Sequence, residues 1–327
     1  MIDLLSLLKN TGAYRTVKSE KLLGRLSHAY LILTADSDNL TEYLKIFATL
    51  MACDDGDPCG NCRACSLIST GNYPDVITYP KKDGAVLAED ITSLIEESYL
   101  KPIECDKKIF IITHAETMNA SAQNKLLKTL EEPPKSVHIL VGATSEFPLL
   151  PTIKSRVKKL EIPPFKEEVL LGALSEDCPD YERLKNAIAC GDGTVGKALA
   201  LYADDSVKKV LDLALSILVD MKSSKDVLKF STMISVSNVD FDALLSMLDL
   251  LLRDLLVISQ GKKELVTMKS ALDRLLTAES FKTGSILHAL ECITEAFKRK
   301  KFNANATMLT EWLLFQILEG KYKWQKL

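Results

Sequence analysis

The sequence predicts an α/β domain with a parallel sheet, followed by helices that continue to the end of the chain. Short apolar runs alternate with amphipathic helical segments through the first half, and polar residues gather where these runs end. This alternation favours a parallel sheet, because each helix carries the chain back to the end of the sheet where strands begin. The second half has only the apolar spacing of helices.

Length and composition set the class of protein. A chain of 327 residues is long for one hydrophobic core and predicts two or three domains. The formal net charge of -3 excludes a generally basic surface, so any contact with nucleic acid would be local or shared with partners. The longest apolar runs fall short of the roughly 20 residues that a membrane span needs. The start, Met1–Leu5, lacks the features of a signal peptide, so we expect a cytoplasmic protein.

The first half contains four predicted strands, separated by helices. The strands are His28–Leu33, Asp75–Pro80, Ile109–Ile112 and Val137–Val141, and the main helices between them are Leu40–Met51, Glu89–Leu100 and Ala120–Leu130. In a parallel sheet, ligands bind beyond the carboxyl ends of the strands. The polar residues that follow the strands are therefore the first candidates for a site.

The spacing of four cysteines predicts a metal site. Cys53, Cys59, Cys62 and Cys65 lie close together with Gly56, Pro58 and Gly60 turning the chain between them, as a closed tetrahedral zinc site requires. A redox pair is the alternative that we favour less, and catalytic zinc is less favoured still because four protein ligands leave no position for water. We interpret the other four cysteines as small buried apolar residues rather than disulfide partners.

The turn between the first strand and its helix, Thr34–Thr41, does not suit a nucleotide. Phosphate-binding turns use glycine N–H groups and a lysine. This turn has neither, and its two aspartates, Asp36 and Asp38, would repel a polyphosphate.

A second stretch, Gly191–Ala198, has the spacing of a phosphate-binding loop but the wrong context. It follows the predicted helix Tyr181–Cys190 rather than a strand, and it ends in alanine where the motif needs a hydroxyl for Mg²⁺. We predict a turn between helices, with Gly191 and Gly193 supplying permissive backbone angles.

Several of these stretches together resemble the bacterial clamp-loader subunits of the AAA+ class. They are His28–Leu31, the four-cysteine insertion, Asn72–Asp75, Ser121–Pro134 and the pair Ser155-Arg156. The resemblance implies an AAA+ sheet domain at 1–164 with a zinc module at about 53–65, a small helical lid at 165–207 and a helical collar domain at 208–327. Phe302–Ala306 and the helix Met308–Leu318 resemble the end of that collar.

The sequence departs from the active members of this family where they hold their own nucleotide. Asn39 and Leu40 stand at the positions of the glycine and lysine of the phosphate-binding loop, where only Thr41 matches the family pattern. Thr113 and His114 stand at the positions of the acids that serve Mg²⁺ and the attacking water, and Glu116 is displaced from them. The resemblance thus implies that the chain binds no ATP and has no intrinsic ATPase activity.

Arg156 is the one residue to which the resemblance still assigns a role in catalysis. In the family, the Ser155-Arg156 pair reaches the ATP of the neighbouring subunit, where a guanidinium stabilises charge on the γ-phosphate. Without the resemblance, a surface ion pair would be the preferred interpretation of Arg156. Thr144 and Lys197 match two sensor positions, but we assign no role to them or to His114.

The leading hypothesis is a non-hydrolysing subunit of the DNA polymerase III clamp loader. Its partners would be the gamma/tau ATPase subunits and the delta subunit in a ring of five, with the sliding clamp and primer-template DNA reached through the complex. The alternatives are an active gamma/tau-type ATPase and a zinc module that recognises nucleic acid by itself. The tail Lys321–Lys326 mixes basic and aromatic residues that could touch DNA, although we favour a frayed terminus there.

Overall fold

The computed structural model describes residues 3–82, 84–203, 206–236, 239–278, 281–301 and 305–323. The chain divides into two compact units, Met1–Asp177 and Cys178–Leu327. The finer division into sheet, lid and collar domains stays a prediction.

The first unit contains a sheet of five parallel strands in the order β2-β3-β4-β1-β5. The strands are β1 (Ala29–Thr34), β2 (Val76–Tyr79), β3 (Lys108–Ile112), β4 (Val137–Ala143) and β5 (Lys158–Ile162). The helices are α1 (Leu4–Lys9), α2 (Gly12–Leu22), α3 (Leu40–Ala52), α4 (Arg63–Ser69), α5 (Ala88–Ser98), α6 (Ala120–Glu131), α7 (Pro151–Lys154) and α8 (Glu167–Leu174), with a 3-10 turn at Ala115–Thr117. The predicted parallel sheet is confirmed.

The fifth strand, β5, is absent from the sequence-based prediction. It pairs with β1 alone, at the edge of the sheet, and only Leu160 and Ile162 of its five residues are buried. Lys158 and Lys159 are exposed, so the strand lacks the continuous apolar run by which the other four were found. Its weak alternation of buried and exposed residues is the pattern of an edge strand.

Helices cover both faces of the sheet because neighbouring strand residues point to opposite sides. Tyr30 and Ile32 of β1 belong to one buried cluster, which includes residues of α2 and α3. Ala29 and Leu31 belong to the other, with residues of α5 and α6. Both clusters cover the faces of the sheet with helices. A ligand would therefore have to bind at the ends of the strands.

Gly142 in β4 allows α3 to approach the sheet closely. A Cβ atom at this position would lie 2.5 Å from Leu44 Cδ1 and 2.9 Å from Leu40 Cδ1. Both leucines are fully buried, so neither has free space into which to move.

We expect Gly142→Ala to lower the free energy of unfolding of the first unit by about 1–3 kcal/mol, because the added methyl overpacks the core. Gly172→Ala is the matched control: that glycine lies in α8, and an added Cβ meets nothing within 4 Å. Urea unfolding of the two variants measures the difference. Equal midpoints would show that α3 can shift without cost.

The second unit is helical throughout its described residues, which confirms the predicted helical C-terminal region. Its helices are α9 (Tyr181–Cys190), α10 (Val195–Ala203), α11 (Ser206–Asp220), α12 (Ser224–Val236), α13 (Phe241–Ser259), α14 (Leu272–Leu275), α15 (Thr283–Lys301) and α16 (Ala306–Lys323), with 3-10 turns at Lys263–Leu265 and Lys269–Ala271. The core of this unit contains six leucines of α13: Leu244, Leu245, Leu248, Leu251, Leu252 and Leu255.

The C-terminal helix corrects one expectation about the tail. Lys321 is not part of an exposed basic surface: it is 3% exposed, and its ammonium donates hydrogen bonds to the carbonyls of Leu218 and Met221 at 2.7 and 3.1 Å. The remaining tail from Trp324, like 302–304 of the predicted collar end, lies outside the described residues. None of the helices described is both long and apolar enough to cross a membrane.

Candidate functional site

The turn after β1 contains a buried carboxylate. Asp36 is 3% exposed, and its Oδ2 accepts a hydrogen bond from the Tyr43 hydroxyl at 2.8 Å. The Asn39 side-chain amide donates to both oxygens of Asp36, at 3.2 and 3.1 Å. Burial, together with the Asp36 carboxylate, raises the pKa of Tyr43. The Asp36 carboxylate, hydrogen-bonded to side chains of this chain, thus occupies the turn. A phosphate-binding loop would present N–H donors there.

Leu40, at the position of the family's lysine, is part of the core. Its side chain is fully buried and packs towards Gly142 of β4. Thr41 is only partly buried and lines an open cleft of about 610 Å³, with Lys45 and Lys81 on its walls. The position of the family's lysine therefore contributes no positive charge to the surface of the turn.

Three polar residues meet beyond the carboxyl ends of β3 and β4. Glu116 Oε1 accepts a hydrogen bond from the Thr144 hydroxyl at 2.7 Å and lies 3.3 Å from His114 Nδ1. His114 has a φ of 50°, a left-handed conformation that is uncommon for residues other than glycine. Thr113 is buried and donates to the Tyr79 carbonyl. Thr144 thus has a protein partner, Glu116, which the sequence did not reveal because 28 residues separate them.

Arg156 lies in the short segment between α7 and β5. Its Nη2 is 2.6 Å from Glu131 Oε1, and its Nη1 donates to the Thr152 carbonyl at 3.0 Å and to Ser155 Oγ at 3.2 Å. The Arg156 side chain is 35% exposed. Arg156, Ser155 and Glu131 line an open cleft of about 550 Å³ together with His28 and Leu130. The guanidinium is both anchored and accessible.

The position of Arg156 in the sheet decides which nucleotide it can reach. Arg156 precedes β5 and His28 precedes β1, so their cleft lies at the amino edge of the sheet. The turn Thr34–Thr41 follows β1 and lies at the carboxyl edge. Since β1 has 6 residues, the two edges are roughly 20 Å apart at about 3.3 Å per residue. Arg156 cannot serve a nucleotide at the carboxyl edge of its own sheet.

The four predicted metal ligands come together. The sulfur atoms of Cys53, Cys59, Cys62 and Cys65 all lie within 4.8 Å of one another. Two pairs, Cys59 with Cys65 and Cys53 with Cys62, are 3.8 Å apart. A tetrahedron of sulfurs around zinc at about 2.3 Å has edges of about 3.8 Å, so the cluster fits such an ion. The cysteine cluster could therefore hold a metal ion, and all eight cysteines are free of disulfides.

The chain prepares the cysteine cluster for metal binding only in part. The backbone N–H of Cys65 donates to Cys62 Sγ and lowers the pKa of the Cys62 thiol to about 7. Burial raises the pKa of Cys65 to about 12. Four thiolates so close together repel one another, so full deprotonation needs the charge of a bound cation.

Helix α2 anchors the cysteine cluster to the sheet domain. Lys21 donates to the carbonyls of Cys53 and Asp55, the latter at 2.6 Å. Asp57 forms an ion pair with Lys18 at 2.7 Å and accepts from the Tyr14 hydroxyl at 2.9 Å. The cluster is thus fixed to the main fold by polar contacts on its N-terminal side.

The stretch Gly191–Ala198 contains the predicted turn between helices, which is 191–194, and continues into the first residues of α10. The role predicted for Gly191, however, was wrong. The left-handed angles belong to Asp192 and Gly193, with φ of 52° and 72°. Gly191 has φ -84° and is needed for space, since a Cβ there would lie 3.0 Å from the Ala198 nitrogen. Lys197 pairs with Asp192 at 2.9 Å, a contact within this stretch.

Comparison with known proteins finds several subunits of DNA polymerase III. A family model described as "DNA polymerase III, delta subunit" matches residues 9–166. The chain is 28% identical to DNA polymerase III subunit delta' of Bacillus subtilis (strain 168) over 306 residues, 90% of this chain and 92% of the relative. It is 34% identical to subunit tau/gamma of Haemophilus influenzae over 135 residues, which is 40% of this chain and only 20% of that relative. A solved gamma subunit-related protein of Thermotoga maritima covers 93% of this chain and 99% of its own, with 20% identity and a TM-score of 0.42.

The part of the chain that the family model matches contains the sheet, the cysteine cluster and Arg156. Along nearly its whole length the chain is similar to a delta' subunit of DNA polymerase III, because the similarity to the Bacillus subtilis delta' protein extends through nearly the whole of both chains.

Proposed function

We propose that this chain is a clamp-loader subunit that hydrolyses no ATP itself and donates Arg156 to the ATP of a neighbouring subunit. Its partners are the gamma/tau ATPase subunits and a delta subunit in a ring of five, within the cytoplasm. Through this complex it helps to place the sliding clamp on primer-template DNA. The names of its relatives support the complex, and the geometry of Arg156 supports the role within it.

One observation carries the proposal: Arg156 is anchored at the edge of the sheet opposite to the turn Thr34–Thr41. An arginine in that position cannot reach a nucleotide at the carboxyl edge of its own sheet, but it is accessible to a neighbouring subunit. A guanidinium that reaches a γ-phosphate stabilises the charge that develops as the bond to the leaving group breaks. The Thr152 carbonyl and Ser155 hydroxyl orient the guanidinium without neutralising it, since both are uncharged acceptors.

The buried Asp36 supports the absence of a nucleotide in this chain. Its charge lies where the phosphates would, and the donors that satisfy it, Asn39 and Tyr43, come from the chain itself. Moreover, Thr113 and His114 give Mg²⁺ no carboxylate at the end of β3, and Oε1 of the nearby Glu116 is engaged by Thr144.

We expect the isolated chain to show no saturable binding of Mg-ATP up to millimolar concentrations in titration calorimetry, because Asp36 repels the phosphates and Leu40 provides no charge for them. A gamma/tau subunit, titrated in the same way, is the positive control. Tight binding that depends on Mg²⁺ would contradict this proposal and favour an active ATPase.

For the cysteine cluster we propose a structural Zn²⁺ ion. Zinc prefers four thiolates in a tetrahedron, and no ligand position is then left for water, so the ion would hold the segment Cys53–Cys65 in shape without reacting. The residues that would bind it are the four cysteines of the cluster.

A further inference from the structure

The guanidinium of Arg156 is already engaged by a charged partner. The contact between Nη2 and Glu131 Oε1, at 2.6 Å, is shorter than the hydrogen bonds from Nη1 to the Thr152 carbonyl and Ser155 Oγ, and of these three partners only Glu131 is charged. Charge-assisted hydrogen bonds of this kind are stronger than those to neutral acceptors. Glu131 therefore occupies one side of the Arg156 guanidinium. A phosphate that binds this guanidinium would have to approach it beside Glu131 or displace Glu131.

The location of Glu131 makes its carboxylate depend on Arg156. Glu131 is the last residue of α6, and a negative charge is unfavourable at the C-terminus of a helix, where the carbonyl groups point outward. Arg156 offsets this cost. When the guanidinium turns to another anion, Glu131 is left at the helix end without compensation, so the exchange has a cost that the incoming anion must exceed.

The surroundings leave room for such an exchange. The Glu131 side chain is 48% exposed, and with Arg156 it lines the cleft at the amino edge of the sheet. The γ-phosphate of ATP carries more negative charge than one carboxylate, so it can displace Glu131 from the guanidinium. While Glu131 stays nearby, however, its charge opposes that of the phosphate.

We propose that Glu131 is a positioning residue for Arg156: it holds the guanidinium at the amino edge before the neighbour's nucleotide arrives and competes with the γ-phosphate for it. This inference rests on the proposed function, in which Arg156 acts on a neighbour's ATP. Glu131 thereby sets how tightly the neighbouring site binds ATP, while Arg156 sets how fast that site reacts.

The test is Glu131→Gln in a clamp loader reconstituted with its ATPase subunits. Exposed ion pairs are weak, so we expect the KM for ATP at the receiving site to fall about two- to fivefold with kcat unchanged. Glu132→Gln is the matched control, because it removes the same charge from the next residue, which lines a different cleft with Lys125 and Lys128. Glu131→Asp, which shortens the side chain by one methylene, lowers the KM in the same direction and guards against a folding defect peculiar to Gln.

Two results would overturn the role of Glu131: equal KM values for the Glu131→Gln and Glu132→Gln loaders, or a lower kcat in the former. The effect of Glu131→Gln on KM also disappears when Arg156 is alanine, since there is then no guanidinium for which to compete. If Arg156→Ala itself left hydrolysis unchanged, the proposed function would fail. If Arg156→Ala slowed hydrolysis but Glu131→Gln changed nothing, only the positioning role would fail.

Discussion

Replacing Arg156 by alanine slows ATP hydrolysis at the neighbouring site by about 10³-fold or more, the effect that a donated arginine has in other enzymes that cleave the β–γ phosphate bond. The physical reason is that two neutral acceptors orient the Arg156 guanidinium through its Nη1, and alanine leaves no cation at this position to stabilise the charge on the γ-phosphate. The measurement is single-turnover hydrolysis in a reconstituted loader in which only the ATPase subunit next to this chain is competent.

The fold of the Arg156→Ala chain remains intact, since a partly exposed ion pair contributes at most about 1 kcal/mol to the free energy of unfolding. Lys154→Ala, a change of the same charge in α7, is the control and leaves the hydrolysis rate near that of the wild type. Arg156→Lys gives an intermediate rate, because an ammonium keeps the charge but lacks the planar fork of donors. An unchanged rate in the Arg156→Ala loader would rule out the role in trans.

The second prediction with a large effect concerns the Zn²⁺ ion proposed for the cysteine cluster. Elemental analysis of the purified chain is expected to give one zinc per chain, and Cys59→Ser to abolish it. Structural zinc sites in small modules contribute binding free energies on the order of 10 kcal/mol, which is also folding free energy for the segment that they close. The metal-free segment Cys53–Cys65 therefore opens, and limited proteolysis cuts within it.

Cys105→Ser is the matched control for the metal experiment. Cys105 lies outside the cysteine cluster and donates to the Lys107 carbonyl at 2.8 Å, a hydrogen bond that serine retains. This variant keeps its zinc and its resistance to protease. Purified wild-type chain without any bound metal, yet with an intact and protease-resistant segment, would contradict a structural ion.

The sequence predicts best those elements that are determined by residues close together in the chain. The apolar runs of β1, β3 and β4 are buried on both faces and stand out as continuous stretches. The cysteine cluster was found because its ligand spacing is short. Strand β5 was missed because an edge strand buries few residues, and nothing in Lys158–Ile162 compels a strand without β1 beside it.

The site could be predicted only in part because its partners are distant in the sequence. The sequence predicts that Asp36 repels a polyphosphate, but the burial of its carboxylate depends on Tyr43, one turn into α3. The pair of Arg156 with Glu131 joins residues from two different connections of the sheet. Above all, the location of Arg156 at the amino edge follows from the start of β5 directly after it, parallel to β1, and the sequence-based prediction lacks this strand.

Leu40 has a consequence for how this chain could evolve. A lysine at this fully buried position would bring an ammonium into the core beside Gly142, a change that lowers stability before any nucleotide has bound. Asp36 would also have to be lost, which would leave Tyr43 with a buried hydroxyl and no acceptor. Each of these two changes is therefore expected to lower the free energy of unfolding by itself. We expect that no single substitution at Asp36 or Leu40 can build a phosphate-binding turn here without a loss of stability.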